Sequence, residues 1–196
     1  MRFTYIFLDD VFDDMNKANG CILVRDIDIS CISLVIYINS FNIRKIDIEN
    51  MRTSVKFDMT IKLSSKDFEE DDVAYNLLDI LTKVRFENLS IMEPIEDDKL
   101  YKSVIAIICN KNDTEDSEGR YFKPTKAFST NRLIFSMRRY WQLEYLCQNL
   151  ASHQGIEEIF IRMKDYDTDL EHRDKCNALV SSFKNQAIRS FRIQEK

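Results

Sequence analysis

Glycine is nearly absent. Gly20, Gly119 and Gly155 are the only three in 196 residues. Phosphate-binding loops need several glycines close together, because backbone N–H groups must approach the anion without a Cβ in the way. P-loop and dinucleotide-fingerprint readings are therefore excluded, and so is a nucleophile elbow, which takes glycine on both sides of its serine. Histidine is almost as scarce, with His153 and His172 alone. The five cysteines, Cys21, Cys31, Cys109, Cys147 and Cys176, are scattered and odd in number. That spacing suits neither a secreted disulfide framework nor a zinc site. No apolar run approaches the length of a membrane span: Ile29–Ile38 and Val104–Cys109 are too short, and Phe3–Leu8 meets Asp9 and Asp10 at once. The expectation is a reduced, intracellular compartment, cytoplasmic or nuclear, with no membrane, no metal and no cofactor.

What remains is a chain rich enough in apolar side chains to fold, at 44% hydrophobic and 11% aromatic. With only two prolines as well, it favours helices and strands joined by polar loops. The net charge of −5 is unevenly spread. Residues 1–119 carry 14 Lys/Arg against 24 Asp/Glu, and residues 120–196 carry 14 against 9. The sign changes at Lys111–Arg120, a stretch without an apolar side chain. This divides the sequence into an acidic half (1–110), a polar linker (111–120) and a basic half (121–196), either as two units or as one continuous domain.

Apolar residues three and four apart predict amphipathic helices at Asp72–Lys83, Met137–Leu150 and Arg173–Lys184. The acidic run through Asp71 and Asp72 suits the start of the first, where the helix dipole favours negative charge. Each helix precedes a short run with one spacing: apolar, two residues, apolar, one residue, apolar. The runs are Phe86/Leu89/Ile91, Ile156/Ile159/Ile161 and Ile188/Phe191/Ile193, with earlier matches at Val24/Ile27/Ile29 and Ile43/Ile46/Ile48. Between those two, Ser30–Asn42 suits a covering helix by apolarity and a strand by its β-branched residues. Alternate strand residues point to opposite faces. Successive helix–strand units would thus align parallel strands under one helical layer. The other face would carry Glu158, Phe160 and Arg162 in one strand and Ser190 and Arg192 in another.

The fold expected is α/β with irregular helix–strand repeats. The alternative is an α+β domain with an antiparallel sheet built from residues 1–63. The units at 72–93, 140–164 and 173–195 resemble degenerate leucine-rich repeats. More narrowly, they resemble the F-box-associated domains of the FTH type, most of all over WQLEYLCQNLASHQGIEEIFIR (Trp141–Arg162) and also over Val55–Ile91. The resemblance implies a substrate-recognition part of a ubiquitin-ligase receptor, in a chain with no F-box before the repeats.

Other groupings carry little chemistry. His172 and Cys176 lie four apart on a predicted helix, but Cys176 falls on its apolar face. Asp165, Asp167 and Asp169 begin like a calcium loop, yet its glycine and glutamate positions hold Leu170 and Cys176. Asp9, Asp10, Asp13 and Asp14 form an acidic turn. Asn88–Ser90 and Asn112–Thr114 match the glycosylation pattern by chance. Arg120–Trp141 stands apart: Arg120, Lys123, Lys126, Arg132, Arg138 and Arg139, no acidic residue, and interleaved aromatics including Trp141. Cations for phosphates and rings for stacking suit single-stranded nucleic acid. The bland counterpart is core aromatics with cations paired to the acidic half. The sequence therefore favours a non-catalytic interaction scaffold with a protein partner; the alternative is nucleic-acid binding through 120–141. No motif sets an oligomeric state.

Overall fold

The computed structural model describes residues 34–38, 43, 56–64, 66–67, 70–111, 114–115, 121–122, 128–164 and 170–193. The expectations at Asp9–Asp14, Val24–Ile29, Ile46, Ile48 and Asp165–Asp169 lie outside them, as do those on most of the 111–120 linker. The elements run β1 (Leu34–Ile38), β2 (Lys56–Ile61), α1 (Asp71–Lys83), β3 (Arg85–Ile91), α2 (Asp98–Ile108), β4 (Thr114–Glu115), β5 (Tyr121–Phe122), β6 (Thr130–Met137), α3 (Tyr140–Leu150), β7 (Ile156–Met163), α4 (Leu170–Ser182) and β8 (Ser190–Ile193).

Six strands form one sheet in the order β1-β2-β3-β6-β7-β8, every neighbouring pair parallel; β4 and β5 make a small antiparallel pair apart from it. The chain is thus α/β. Strand order follows chain order without reversal. Parallel neighbours joined by right-handed crossovers then place every helix on the same side. Consecutive helices do pack against each other, α1 on α2, α2 on α3 and α3 on α4. Because β3 and β6 are hydrogen-bonded neighbours, the sheet is continuous across the 111–120 segment.

The shared spacing of the apolar runs has a local cause. Phe57 faces Phe86 and Asp58 faces Asn88, so Glu87 is an extra residue in β3. That bulge lets Phe86 and Leu89, three apart, both point into the core, and Ile91 follows by ordinary alternation. All three are buried, as are Ile156, Ile159 and Ile161 in β7. Ile188, just before β8, and Phe191 and Ile193 within it are half-buried against the same core. The other side chains of α4 are largely exposed, and Cys176 is its one fully buried residue among those described.

Four expectations change. The antiparallel alternative fails where it is visible, because β1 and β2 pair in parallel. Residues 39–55 separate them, enough chain for the crossover of about a dozen or more residues that parallel pairing needs. Within Ser30–Asn42, the β-branched run Leu34–Ile38 is strand rather than covering helix. The helix expected from Met137 begins at Tyr140, since Met137 ends β6 with its side chain in the core. Finally, β6 and α2 are elements the periodicity did not predict.

Candidate functional site

Among the described residues no helix packs on the strand face opposite α1–α4, and this face is the surface the architecture leaves for recognition. The register sets out two rows across it. Asp58, Asn88, Arg132, Glu158 and Ser190 form one; Thr60, Ser90, Ile134, Phe160 and Arg192 form the next. These side chains are half-buried or exposed, whereas their sequence neighbours Met59, Leu89, Leu133, Ile159 and Ile161 are buried beneath the helices. At the β2–β3 end the Asn88 amide donates to the Asp58 carboxylate. At the other end Arg132 Nε lies 3.0 Å from Glu158 Oε2. Phe160 sits under two guanidinium groups, Arg132 at 5.3 Å and Arg192 at 4.6 Å from its ring centroid. Alternation alone predicted Glu158, Phe160, Arg162, Ser190 and Arg192 on this face.

The basic aromatic segment is divided by the fold. Arg120, Lys123 and Lys126 lie outside the described residues. Arg132 belongs to the strand face. Arg138 and Arg139 leave the C-terminal end of β6, where they meet the acidic connection between β3 and α2. Arg138 Nη1 is 2.9 Å from Glu96 Oε1, and Arg139 reaches Asp98 at 3.0 Å and Glu96 at 3.6 Å. Both arginines remain 46% exposed, so these pairs are solvated. The rings of Phe128, Phe135 and Trp141 do not form a surface platform. Phe128 and Phe135 are core residues, and Trp141 packs edge-on against buried Tyr101 at 5.4 Å. Lys102 Nζ lies 5.9 Å from the Trp141 ring.

The C-terminal edge of a parallel sheet holds ligands where strand order reverses and two loops part. Here the order never reverses, and ion pairs bridge the edge, including Lys164 to Glu93. Buried Gln142 knits it further, accepting from the Arg138 and Arg139 N–H groups at 3.1 Å and donating to the Ile95 carbonyl at 2.8 Å.

At the opposite edge an open cleft of about 350 Å³ lies between the bends into β6 and β7. Ser129, Asn131, Gly155 and Glu157 are among its walls. Gly155 adopts φ +116°, and a Cβ there would come within 3.2 Å of the Phe128 carbonyl, so this glycine shapes the bend. Nearby, Asn110 and Asn185 bind the ends of successive units together. Asn110 accepts from the Phe128 N–H and donates to its carbonyl at 3.2 Å. Asn185 donates to the Leu150 and His153 carbonyls at 2.6 and 2.8 Å. The His153 ring lies between these units, buried, with Nδ1 3.4 Å from the Asn110 amide nitrogen.

The thiols are placed for packing. Cys176 Sγ is 3.7 Å from His172 Nε2, the pair that the four-residue spacing brings together. Burial nevertheless pushes the Cys176 thiol up to about 11, and Cys109 and Cys147 up to about 12. A reactive cysteine is shifted the other way. Among the described residues no three His, Cys, Asp or Glu side chains are grouped to hold a metal ion, and no helix is long and apolar enough to cross a membrane. No family model, curated protein or solved structure matches this chain.

Proposed function

We propose that this chain is a non-catalytic protein-interaction module whose recognition surface is the uncovered strand face. In this reading the parallel units are irregular, leucine-rich-repeat-like helix–strand repeats. The module serves as the substrate-recognition part of a ubiquitin-ligase receptor, as its resemblance to F-box-associated domains implies. The supporting observation is the face itself: polar, charged and aromatic side chains in register across five parallel strands, with the helices packed on the other side. Such a surface is firm, because each side chain is positioned by a hydrogen-bonded strand rather than by a loop.

The test is affinity purification from a native extract with three baits: the unaltered chain, a strand-face variant (Glu158→Arg with Phe160→Ser) and a helix-side variant (Lys175→Glu). A specific protein recovered by the first and third baits but lost with the second supports the reading. Equal recovery by all three would place the contact elsewhere. Turnover of a small substrate by the purified chain, abolished by a single substitution, would replace a binding module with an enzyme.

A further inference from the structure

We propose that His153 is an acid-sensitive latch in the joint between units: a proton taken up at its Nε2 loosens the last helix and strand, α4 and β8, from the rest of the sheet. The device stands independently of what the strand face binds. His153 follows α3 and is 5% exposed, and its ring hydrogen-bonds with the Cys109 backbone at the end of α2. The Cys109 N–H is already spent on the Ile105 carbonyl, so the ring is the donor and the Cys109 carbonyl the acceptor. Nε2 is buried and has no hydrogen-bond partner among the described residues, so the donating nitrogen is Nδ1. The neutral ring thus keeps a bare acceptor at Nε2. A second proton there makes a buried cation whose new N–H finds no acceptor. The charge is relieved only by water, and reaching water requires the ring to swing out of the joint.

What the ring carries with it is the lead into β8. Asn185 donates to the Leu150 and His153 carbonyls at 2.6 and 2.8 Å, and its side-chain oxygen accepts from the Ala187 N–H at 2.8 Å. The turn that starts β8 therefore hangs on the backbone of the titrating residue. Among the described residues Cys176 is the one fully buried side chain of α4, and Leu179, Val180, Phe183 and Phe191 are only half-buried, so this margin is the first to part. On the other side of the ring, Asn110 is tied to the backbone of buried Phe128 and stays with β6. The charges of the packed segments stand away from the imidazole. The Cys109 and Cys147 thiols, on α2 and α3, are neutral, pushed up to about 12 by burial. Lys111 after α2, Glu144 on α3 and Lys184 after α4 are exposed, and half-buried Glu157 on β7 pairs with Arg189 at 3.2 Å. The other histidine, His172, is half-buried on α4.

Burial holds the His153 pKa below its ordinary 6.5, so the opened form takes the proton more readily and acid favours it. The experiment is amide hydrogen exchange on the purified full chain, between about pH 7.5 and about pH 5. Mass spectrometry follows peptides from α4–β8 and from β3, each rate divided by that of the unfolded chain at the same pH. Protection at α4 and β8 should fall relative to β3, beginning at about pH 6.5 and reaching severalfold by about pH 5. The ceiling is about 30-fold, the ratio of charged to neutral imidazole at that pH for an ordinary pKa of 6.5. His153→Gln, which cannot take the proton, should lose this dependence, and His172→Gln should keep it. Should His153→Gln not fold, the His172→Gln chain decides alone, because His153 is then its one histidine. A dependence that survives in His153→Gln, or vanishes in His172→Gln, would overturn the proposal. So would an equal fall in β3, which marks global unfolding, a fall that begins only below about pH 5, where carboxylates titrate, or no fall at all.

Discussion

Asn110 offers the most direct test of how the units are joined. It follows α2 in the left-handed conformation, at φ +56°. The N–H groups of Asn110 and Lys111 close the helix end on the Ile107 and Ala106 carbonyls at 3.0 and 2.8 Å. Its amide meanwhile serves both backbone groups of buried Phe128, just before β6. Asn110→Gly keeps the backbone conformation and deletes the amide. An orphaned buried backbone group costs about 1–3 kcal/mol, so losing two should cost about 2–6 kcal/mol. Asn110→Ala deletes the same bonds and adds about 1 kcal/mol for a Cβ in the left-handed region. The glycine variant should therefore be the more stable of the two, reversing the usual penalty for glycine. At about 2–4 °C per kcal/mol for a chain of this size, a loss of about 3 kcal/mol lowers Tm by about 6–12 °C. Urea titration followed by circular dichroism reads both variants. A glycine variant within about 0.5 kcal/mol of the unaltered chain, or less stable than the alanine variant, would refute the reasoning, since surface changes fall in that range.

Four further outcomes follow from the site descriptions. Burial lowers the His153 pKa below its ordinary 6.5, opposed in part by a hydrogen bond with the Cys109 backbone. The unfolded chain therefore takes up a proton that the folded chain resists. This group's contribution is complete above about pH 6.5 and is lost as pH falls from there toward the folded value. His153→Gln should flatten that stretch of the stability–pH curve, measured by denaturant titration. Gln142→Leu leaves two N–H groups and one carbonyl without partners and should cost about 3 kcal/mol or more. Arg139→Gln breaks only solvated ion pairs and should cost less than about 1 kcal/mol in the same titration. In site-resolved alkylation at pH 8, Cys109, Cys147 and Cys176 should stay unmodified in the folded chain and react on unfolding; rapid native labelling of Cys176 would contradict its packing role.

The sequence shows those elements whose pattern is carried by their own residues. α1, α4, β3 and β7 each present a complete period, and the uncovered face of β7 follows from its alternation. β6 is hidden because threonine takes the first apolar position in Thr130/Leu133/Phe135, and surrounding cations make the stretch look like surface. α2 is hidden for the opposite reason: Val104–Cys109 is so continuously apolar that a buried helix and a buried strand read alike. The ion pairs of Arg138 and Arg139 join residues about 40 positions apart, and no local spacing announces them. The Asn110 and Asn185 links are single side chains whose roles depend on the neighbouring unit.

Unreversed strand order also shapes how the molecule opens. Each strand leans only on its neighbours in chain order, so the β8 margin can detach without disturbing β3 or β6. Among the described residues Cys176 is the one fully buried side chain of α4, and Leu179, Val180, Phe183 and Phe191 are only half-buried, so less apolar surface resists detachment here than at the centre of the sheet. Amide exchange should be graded, fastest at β8 and α4 and slowest at β3 and β6. A ligand lying across β6, β7 and β8 would cinch that margin, and slower exchange there would register its arrival.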